Sequence, residues 1–247
     1  MARMAVVAAL AALLAPLSAS LAAEESSAIQ PANNDIGNVA SLQRGAKYFV
    51  NYCLGCHSAK YVRYNRLADD LGITEEQLIE NLMFTGERPY DTMISAMPAA
   101  DAARWFGQPP PDLSLIGRSR GTDWIYSYLK SFYLDDSRPT GANNLVLEGT
   151  AMPHVLWELQ GWQTPVTRQT GGASGERTIE RLEPAAEGML SAGEYDRVVR
   201  DLANFLDYVS EPVQLERRRL GIRVILFLLV FLLFAYMLKK EYWKQVR

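Results

Sequence analysis

The sequence is poor in the two residue types that most often bind metals or form cross-links. Among its 247 residues are two cysteines, Cys53 and Cys56, and two histidines, His57 and His154. A disulfide between cysteines so close together would close too small a loop to constrain the unfolded chain much. The usual zinc spacing, a cysteine pair followed by a histidine pair, is absent because His154 stands alone. Neither cross-linking nor structural zinc explains these residues well.

The chain also lacks internal repeats and any alternating pattern long enough for the core of a β-sheet. A thioredoxin-like redox pair is disfavoured as well, because no βαβ pattern surrounds the cysteines. The polar, glycine-rich stretch 164–183 has room for a short hairpin, and the triple proline in 107–121 predicts a loop. Long loops are unusual in a compact domain, so we expect a large cofactor to organise them.

What the sequence does contain is apolar residues at helical spacing. Two of the predicted helices begin with capping boxes, formed by Thr74 with Gln77 and by Ser191 with Glu194, and Pro212 ends the last one. The predicted helical segments are 41–53, 74–83, 122–132 and 191–212. The pattern predicts a mainly α protein.

Residues 1–23 have the order of a secretory signal peptide. Arg3 precedes an Ala/Val/Leu run, and small residues follow before Glu24 and Glu25. The alternative is an N-terminal membrane anchor, which the short, alanine-rich run disfavours. We therefore predict cleavage after Ala22 or Ala23.

Near the C-terminus, residues 220–238 form a 19-residue segment whose only charge is Arg223. A helix of about 20 apolar residues spans the hydrocarbon core of a bilayer, and the long stem of an arginine near its end reaches the interface. A buried core helix would carry a polar stripe, and this segment has none. The sequence therefore predicts a transmembrane helix over 220–238.

Charge counting does not orient this helix, since four basic residues precede its uncharged run 224–238 and four follow it. The predicted signal peptide orients the helix, because it places residues 24–219 outside the cytoplasm and the tail 239–247 inside. Residues 24–216 carry 16 Lys and Arg against 27 Asp and Glu, a net charge of −11. This charge argues against nucleic acid and suits a basic partner, although solubility alone would also account for it.

Cys53, Cys56 and His57 also match C-x-x-C-H, the attachment motif of c-type haem. Two thiols in one helical turn add to the two vinyl groups of haem, and the adjacent imidazole then reaches the iron from the same side. Export agrees with this reading, because c-type haem is attached outside the cytoplasm. The motif predicts one covalently bound haem c, with His57 as an iron ligand.

The ligand on the opposite face of the iron decides function, because a methionine there closes the site and suits electron transfer. Met97 and Met152 both stand in Met-Pro sequences, 40 and 95 positions after His57. Spacing alone slightly favours Met97. The full set of candidates is Met83, Met93, Met97, Met152, Met189 and His154, of which Met83 and Met189 look like core or helix-cap residues.

Beyond the motif, several segments resemble the cytochrome c1 family, in order from about residue 36 to 246. They are "RGAKYFVNYCLGCHS" (44–58), "PPDLSLIGRSRG" (110–121), "DWIYSYL" (123–129) and the tail that ends in "KKEYWKQV". The resemblance implies a mainly α, cytochrome c-like haem domain with long loops and one C-terminal transmembrane helix. It also implies that the helix before the motif crosses the last helix of the domain, with Gly45 and Tyr48 packed against residues 202–205.

The same resemblance implies roles for individual residues. Cys53 and Cys56 would hold the thioethers, His57 the proximal iron position, and Met152, in place of Met97, the distal one. Arg120 would meet a haem propionate, with Arg118 as the lesser candidate, and Pro111 and Trp124 would line the haem edge. Many members follow the distal methionine with a small residue and prolines, where this chain has Pro153-His154. Some bacterial members also carry an extra cysteine pair that braces the haem domain, and this chain has none.

The family implies a one-electron relay that performs no bond chemistry itself. Its haem would take electrons from the Rieske iron–sulfur protein of a cytochrome bc1 complex, beside cytochrome b, and pass them to a c-type cytochrome. The expected location is the cell inner membrane, with the haem domain on the periplasmic side. The alternatives are an anchored monohaem cytochrome serving another oxidase or reductase, and a haem peroxidase or sensor with an open iron site.

Overall fold

The computed structural model describes residues 29–170 and 176–244, and this part of the chain is mostly helical. The helices are α1 Val39–Tyr52, α2 Tyr64–Leu71, α3 Glu75–Asn81, α4 Ala99–Phe106, α5 Ile116–Ser119, α6 Thr122–Lys130, α7 Trp157–Gln160, α8 Ala192–Ser210 and α9 Gln214–Trp243. The strands are β1 Ala59–Arg63, β2 Thr92–Met93, β3 Phe132–Leu134, β4 Ala142–Asn144, β5 Gly161–Thr170 and β6 Glu176–Glu187. The predicted signal peptide and the last three residues of the tail lie outside the described residues.

Both predicted capping boxes are present. The Thr74 hydroxyl accepts from the Gln77 N–H at 3.3 Å, and the Gln77 side chain accepts from the Thr74 N–H at 3.0 Å. At the start of α8, the Glu194 carboxylate accepts from the Ser191 N–H at 3.0 Å. Helix α6 ends two residues earlier than predicted, because the chain turns at Ser131 and enters β3. Helix α8 ends at Ser210, just before Glu211 and Pro212.

The domain is built around a close crossing of α1 and α8. A Cβ atom on Gly45 would lie 2.2 Å from the Asp201 carbonyl oxygen and 2.6 Å from the Phe205 Cβ, so the two backbones meet there. The predicted contact of Gly45 with this face of α8 is confirmed. The aromatic ring of α1 that packs on Phe205 is that of Phe49, with ring centroids 5.4 Å apart. The half-buried ring of Tyr48 lies 6.4 Å from the ring of Tyr52.

A buried carboxylate strengthens the same crossing. Asp201 on α8 accepts from the Arg44 guanidinium at 2.6 and 2.9 Å and from the Ser41 hydroxyl at 2.6 Å. Asn204, one turn later on α8, also donates to the Ser41 hydroxyl, at 3.0 Å. Because the Asp201 charge is paired and fully hydrogen-bonded, its burial is compensated and the register between the two helices is defined.

The β-structure consists of three two-stranded antiparallel sheets, β1–β2, β3–β4 and β5–β6, within the described residues. None forms a sheet core, in agreement with the expected fold class. The β5–β6 hairpin, paired from Gly161 opposite Glu187 to Thr170 opposite Glu176, is longer than the short hairpin expected over 164–183. Its polar residues occur on both faces, so the sequence does not alternate as a half-buried strand does.

Helix α9 is longer than the 19-residue segment marked by hydropathy. Its 30 residues correspond to about 45 Å, enough to cross a hydrocarbon core of about 30 Å and continue on either side. No residue of α9 is buried against the rest of the described chain. The protein thus has one C-terminal candidate membrane helix, and nothing in the described domain covers its apolar surface.

The Gly45 crossing leads to a stability prediction. Gly45→Ala should lower the free energy of unfolding by about 2 kcal/mol or more, because its methyl group would collide with the α8 backbone. Gly193→Ala is the matched control, since a Cβ on Gly193 in α8 would meet nothing within 4 Å. The control should be neutral or up to about 1 kcal/mol more stable. Thermal unfolding of the detergent-solubilised protein measures both; equal stability of the two variants would contradict the proposed crossing.

Candidate haem site

The cysteine–histidine motif occupies a single turn at the C-terminal end of α1. The Cys53 N–H continues the helix by donating to the Phe49 carbonyl at 2.9 Å. The N–H groups of Cys56 and His57 then both donate to the Cys53 carbonyl, at 3.0 and 2.8 Å. Both cysteines are half-buried free thiols. One helical turn therefore presents two thiols and an imidazole together.

The environment keeps these groups neutral. Burial, with a smaller contribution from Cys56, raises the pKa of the Cys53 thiol to about 12, and burial also raises the pKa of Cys56. Thiols with raised pKa values are poor nucleophiles, which argues against a reactive redox pair. Burial lowers the pKa of His57, although its bond to Pro111 acts the other way. A neutral imidazole retains the lone pair that a metal ligand needs.

The Pro111 carbonyl defines which nitrogen of His57 carries the proton. It lies 2.8 Å from His57 Nδ1, and since a carbonyl only accepts, Nδ1 must be the donor. The lone pair is then on Nε2, the nitrogen farther from the backbone. Oriented histidine ligands of metals typically donate their other ring nitrogen to a carbonyl or carboxylate in this manner. In this structure Pro111 contacts the site through its backbone oxygen.

The proline-rich loop is fastened to the segment that follows the motif. Leu113 N–H donates to the Ser58 carbonyl at 2.8 Å, and Tyr61 N–H donates to the Ser114 hydroxyl at 3.1 Å. The Asp112 carboxylate accepts from the backbone N–H groups of Lys60 and Ser114, at 3.1 and 3.0 Å. Sequence reasoning missed Asp112 and Ser114, although the quoted "PPDLS" segment contains both.

Arg118 and Arg120 follow this loop and are both exposed. Within residues 29–170 and 176–244, neither guanidinium forms an ion pair with a carboxylate. The Arg120 guanidinium lies 5.0 Å from the centre of the Trp124 ring, a cation–π contact. Trp124 in turn stacks on Tyr128 at 4.9 Å, with the ring planes 8° apart. The two arginines can therefore pair with anionic groups of a bound ligand.

The candidate iron ligands among the methionines have different environments. Met93 is completely buried in β2, opposite Ala59 of β1, so it is a core residue. Met189 is 78% exposed and lies two residues before Ser191, the N-cap of α8, so of its two expected places, core or helix cap, it has the second. Met152 is half-buried and packs against the apolar core from a loop. Met83 is packed in a similar way, and Met97 is half-buried at the end of a loop.

Two asparagines organise the loop that carries Met152. The buried Asn144 side chain accepts from the N–H groups of Val146 and Leu147 at 2.8 and 3.2 Å. Asn143 accepts from the Gly149 N–H at 2.8 Å. The loop conformation before Met152 is therefore held by side-chain hydrogen bonds in place of regular secondary structure. No sequence signal marked these asparagines beforehand.

His154 is enclosed in an aromatic stack. It is 3% exposed, and its ring lies parallel to Phe132 at 5.0 Å and edge-on to Trp162 at 5.5 Å. Burial lowers its pKa to about 4, so the imidazole is neutral. Its Nε2 atom has no hydrogen-bond partner among the described residues. To reach an iron, this ring would first have to leave the stack.

These residues fit a c-type haem. Two neutral thiols project from one turn, the imidazole is oriented with its lone pair on Nε2, and the exposed guanidinium groups of Arg118 and Arg120 belong to α5 and its C-cap. In the described ranges, no group of three or more His, Cys, Asp and Glu side chains could hold a metal ion. An iron bound here would therefore need a macrocycle to supply its remaining ligands. The fold and the site together are those of the c-type cytochromes, with an added C-terminal helix.

Comparison with known proteins identifies the family. The sequence model of the Cytochrome C1 family matches residues 35–161 and 191–246, which include the haem-site segment and helix α9. The chain belongs to the cytochrome c1 family of haem-bearing electron-transport proteins. The unmatched residues 162–190 contain almost all of the β5–β6 hairpin.

The chain is 54% identical to cytochrome c1 of Allochromatium vinosum, over 95% of this chain and 96% of the relative. It is 45% identical to a protein of Nitrosomonas europaea named ammonia monooxygenase gamma subunit, over 96% of each. Mitochondrial cytochrome c1 of Saccharomyces cerevisiae is 28% identical, over 84% of this chain and 68% of the relative. The resemblance inferred from the quoted segments is thus confirmed.

The role of Asp112 yields a prediction. Asp112→Ala should lower the free energy of unfolding by about 1–2 kcal/mol, because two backbone N–H groups lose their acceptor. Asp136→Ala is the matched control, since its exposed side chain has no hydrogen-bond partner among the described residues. The control should change stability by less than about 0.5 kcal/mol. Urea unfolding of the detergent-solubilised holoprotein compares the two variants. An Asp112 variant as stable as the control would show that the two hydrogen bonds accepted by Asp112 do not stabilise the domain.

Proposed function

We propose that this protein is the haem-bearing subunit of a cytochrome bc1 complex, receiving single electrons from a Rieske iron–sulfur protein and passing them to a c-type cytochrome. One observation carries the proposal. The C-x-x-C-H turn, with His57 Nδ1 held by the Pro111 carbonyl, occurs in a chain that matches the cytochrome c1 family through both the haem domain and α9.

The haem would be held by the residues already described. Cys53 and Cys56 would form thioethers to one haem c, His57 would ligate iron through Nε2, and Met152 would provide its thioether from the loop that follows β4. The bound haem supplies reversible one-electron chemistry at its iron. A site in which His57 and Met152 both bound the iron would keep water and substrates away from it, and the chemistry supplied would then be electron transfer.

The surrounding residues neutralise and shield the haem. Arg120, with Arg118 as the lesser candidate, pairs with propionate groups, which suits a guanidinium without an internal carboxylate partner. Trp124 lines the haem edge, held in place by its stack on Tyr128. Pro111 contributes mainly through its backbone carbonyl, which orients His57.

The partners follow from the relatives and from charge. A relative from Candida albicans is named cytochrome b-c1 complex catalytic subunit, which supports assembly with cytochrome b and a Rieske protein. The net charge of −11 over residues 24–216 would attract a basic c-type cytochrome and increase its association rate. The same negative charge argues against a nucleic-acid partner.

We infer the membrane arrangement from the two ends of the chain. Residues 1–23 act as a signal peptide, and residues 24–219 form the haem domain on the periplasmic side of the inner membrane. Residues 220–238 cross the bilayer, and the short tail 239–247 is cytoplasmic. The uncovered apolar surface of α9 supports this arrangement, because only lipid or a membrane partner would cover it.

A second candidate is an anchored c-type cytochrome that serves a different oxidase or reductase. The observation that favours it is the 45% identical relative named ammonia monooxygenase gamma subunit. Both candidates share the haem site and the anchor, and they differ in the complex that surrounds the protein.

The first test concerns the distal ligand. Met152→Leu should lower the haem midpoint potential by on the order of 100 mV or more, because the thioether stabilises reduced iron. Redox titration of membranes, with optical spectra, measures this. Met189→Leu is the control, because Met189 is exposed and away from the core. Haem staining after denaturing electrophoresis should show that the haem remains covalently attached in both variants. An unchanged potential and spectrum in Met152→Leu would exclude Met152.

The second test separates the two candidate complexes. Mild detergent extraction followed by affinity purification of the native chain should recover a cytochrome b and a Rieske iron–sulfur protein in equal amounts. The purified complex should reduce a c-type cytochrome with ubiquinol, and added salt should slow this step because it screens the acidic surface. Recovery of a different oxidase or reductase, without cytochrome b, would favour the second candidate.

A further inference from the structure

A pair of buried hydroxyl groups joins helix α6 to the loop that carries Met152. The Tyr128 hydroxyl lies 2.8 Å from the Thr150 hydroxyl, and the two residues are only 8% and 5% exposed. Thr150 stands two positions before Met152, and its hydroxyl also accepts from the Met152 N–H at 3.4 Å. The backbone of Met152 is thus connected through Thr150 to a helix.

The Tyr128 ring is itself fixed on two sides. Trp124 stacks on it at 4.9 Å, and Phe132 contacts it edge-on at 5.1 Å with an interplanar angle of 69°. Its backbone carbonyl accepts from the Asn144 side-chain amide at 2.8 Å, so the same residue also holds the start of the Met152 loop. A ring packed in this way presents its hydroxyl in one place, which makes it a suitable anchor for a loop without regular structure.

We propose that Tyr128 and Thr150 are positioning residues, whose hydroxyl pair keeps the Met152 thioether in place as the distal iron ligand. This inference rests on the proposed function, because it requires Met152 to be that ligand. Neither residue touches the iron. They act by restricting the loop, so that the state in which the thioether has moved away is rarely populated. Trp124, stacked on Tyr128, joins this anchor to the edge of the site.

The positioning role can be measured through competition between the Met152 thioether and an external ligand for the iron. An external ligand binds only in the open state, so its apparent affinity rises in proportion to the open fraction. A buried hydroxyl pair of ordinary strength, when removed, should raise that fraction about fivefold. The apparent affinity of the oxidised haem for cyanide should therefore increase about fivefold, and the absorption band of the sulfur–iron bond should disappear at a lower temperature.

The experiment uses the native complex in detergent with Tyr128→Phe, Thr150→Val and the double variant. Each single change removes one hydroxyl and keeps the side-chain volume nearly constant. Both single changes remove the hydrogen bond between the two hydroxyls, and Thr150→Val also removes the acceptor of the Met152 N–H. Thr150→Val should therefore raise cyanide affinity at least as much as Tyr128→Phe does, and the double variant should match Thr150→Val in place of showing the product of the two effects. Cyanide titration and the temperature dependence of the sulfur–iron band are measured for all three.

Tyr195→Phe is the matched control. Its hydroxyl is also buried and donates to the Leu129 carbonyl at 2.7 Å, but it belongs to the packing of α8 on α6. It should lower global stability as much as Tyr128→Phe does, while leaving cyanide affinity unchanged. If Tyr195→Phe raised cyanide affinity equally, the effect would reflect general loosening, and the positioning role would be refuted.

Met152→Leu, measured alongside, separates failure of this inference from failure of the proposed function. If Met152→Leu alters the potential and spectrum while Tyr128→Phe and Thr150→Val bind cyanide like the unmodified protein, only the positioning role is overturned. If Met152→Leu itself changes nothing, the assigned ligand is wrong and the positioning role falls with it. A fivefold, non-additive gain together with an altered Met152→Leu spectrum supports both.

Discussion

The contact on which the rest of the structure depends is the close approach of α1 to α8 at Gly45. Because Gly45 has no side chain, the α1 backbone rests directly on the Asp201 carbonyl and the Phe205 side chain. The Arg44–Asp201 ion pair and the Ser41 bond secure the register of the two helices. The end of α1 is then fixed in space, and with it the turn that carries Cys53, Cys56 and His57.

The two segments that we propose to bind the haem come from distant parts of the chain, and α6 contacts residues next to both. At one end of α6, Trp124 lies beneath Arg120, which follows the proline-rich loop that orients His57. Farther along, Tyr128 contacts the loop that carries Met152. Helix α6 itself packs on α8, the partner of α1. The two segments are therefore both tied to the same group of packed helices, α1, α6 and α8.

The helices and their caps could be predicted because they follow from local rules. The capping box of Thr74 and Gln77 depends on residues three positions apart, and the apolar stripe of α8 on a repeat of 3.6. The extent of the β5–β6 hairpin could not be predicted, since its residues are polar on both faces. Asp112, Ser114 and the Asn143–Asn144 pair were also missed, because a single polar residue in a loop has no pattern that distinguishes it from a solvated one.

The sequence by itself determined the haem-binding motif, the apolar helix at the C-terminus, the mainly helical class and the family. Each is written in contiguous residues or in a short repeat, so local chemistry suffices to identify it. Only the tertiary structure decided how the candidate site is held: the proton on His57 Nδ1, the burial of His154 in an aromatic stack, and the Tyr128–Thr150 pair. These depend on a backbone carbonyl, which every residue has, or on side chains many positions apart. Such partners become apparent only when the chain has folded.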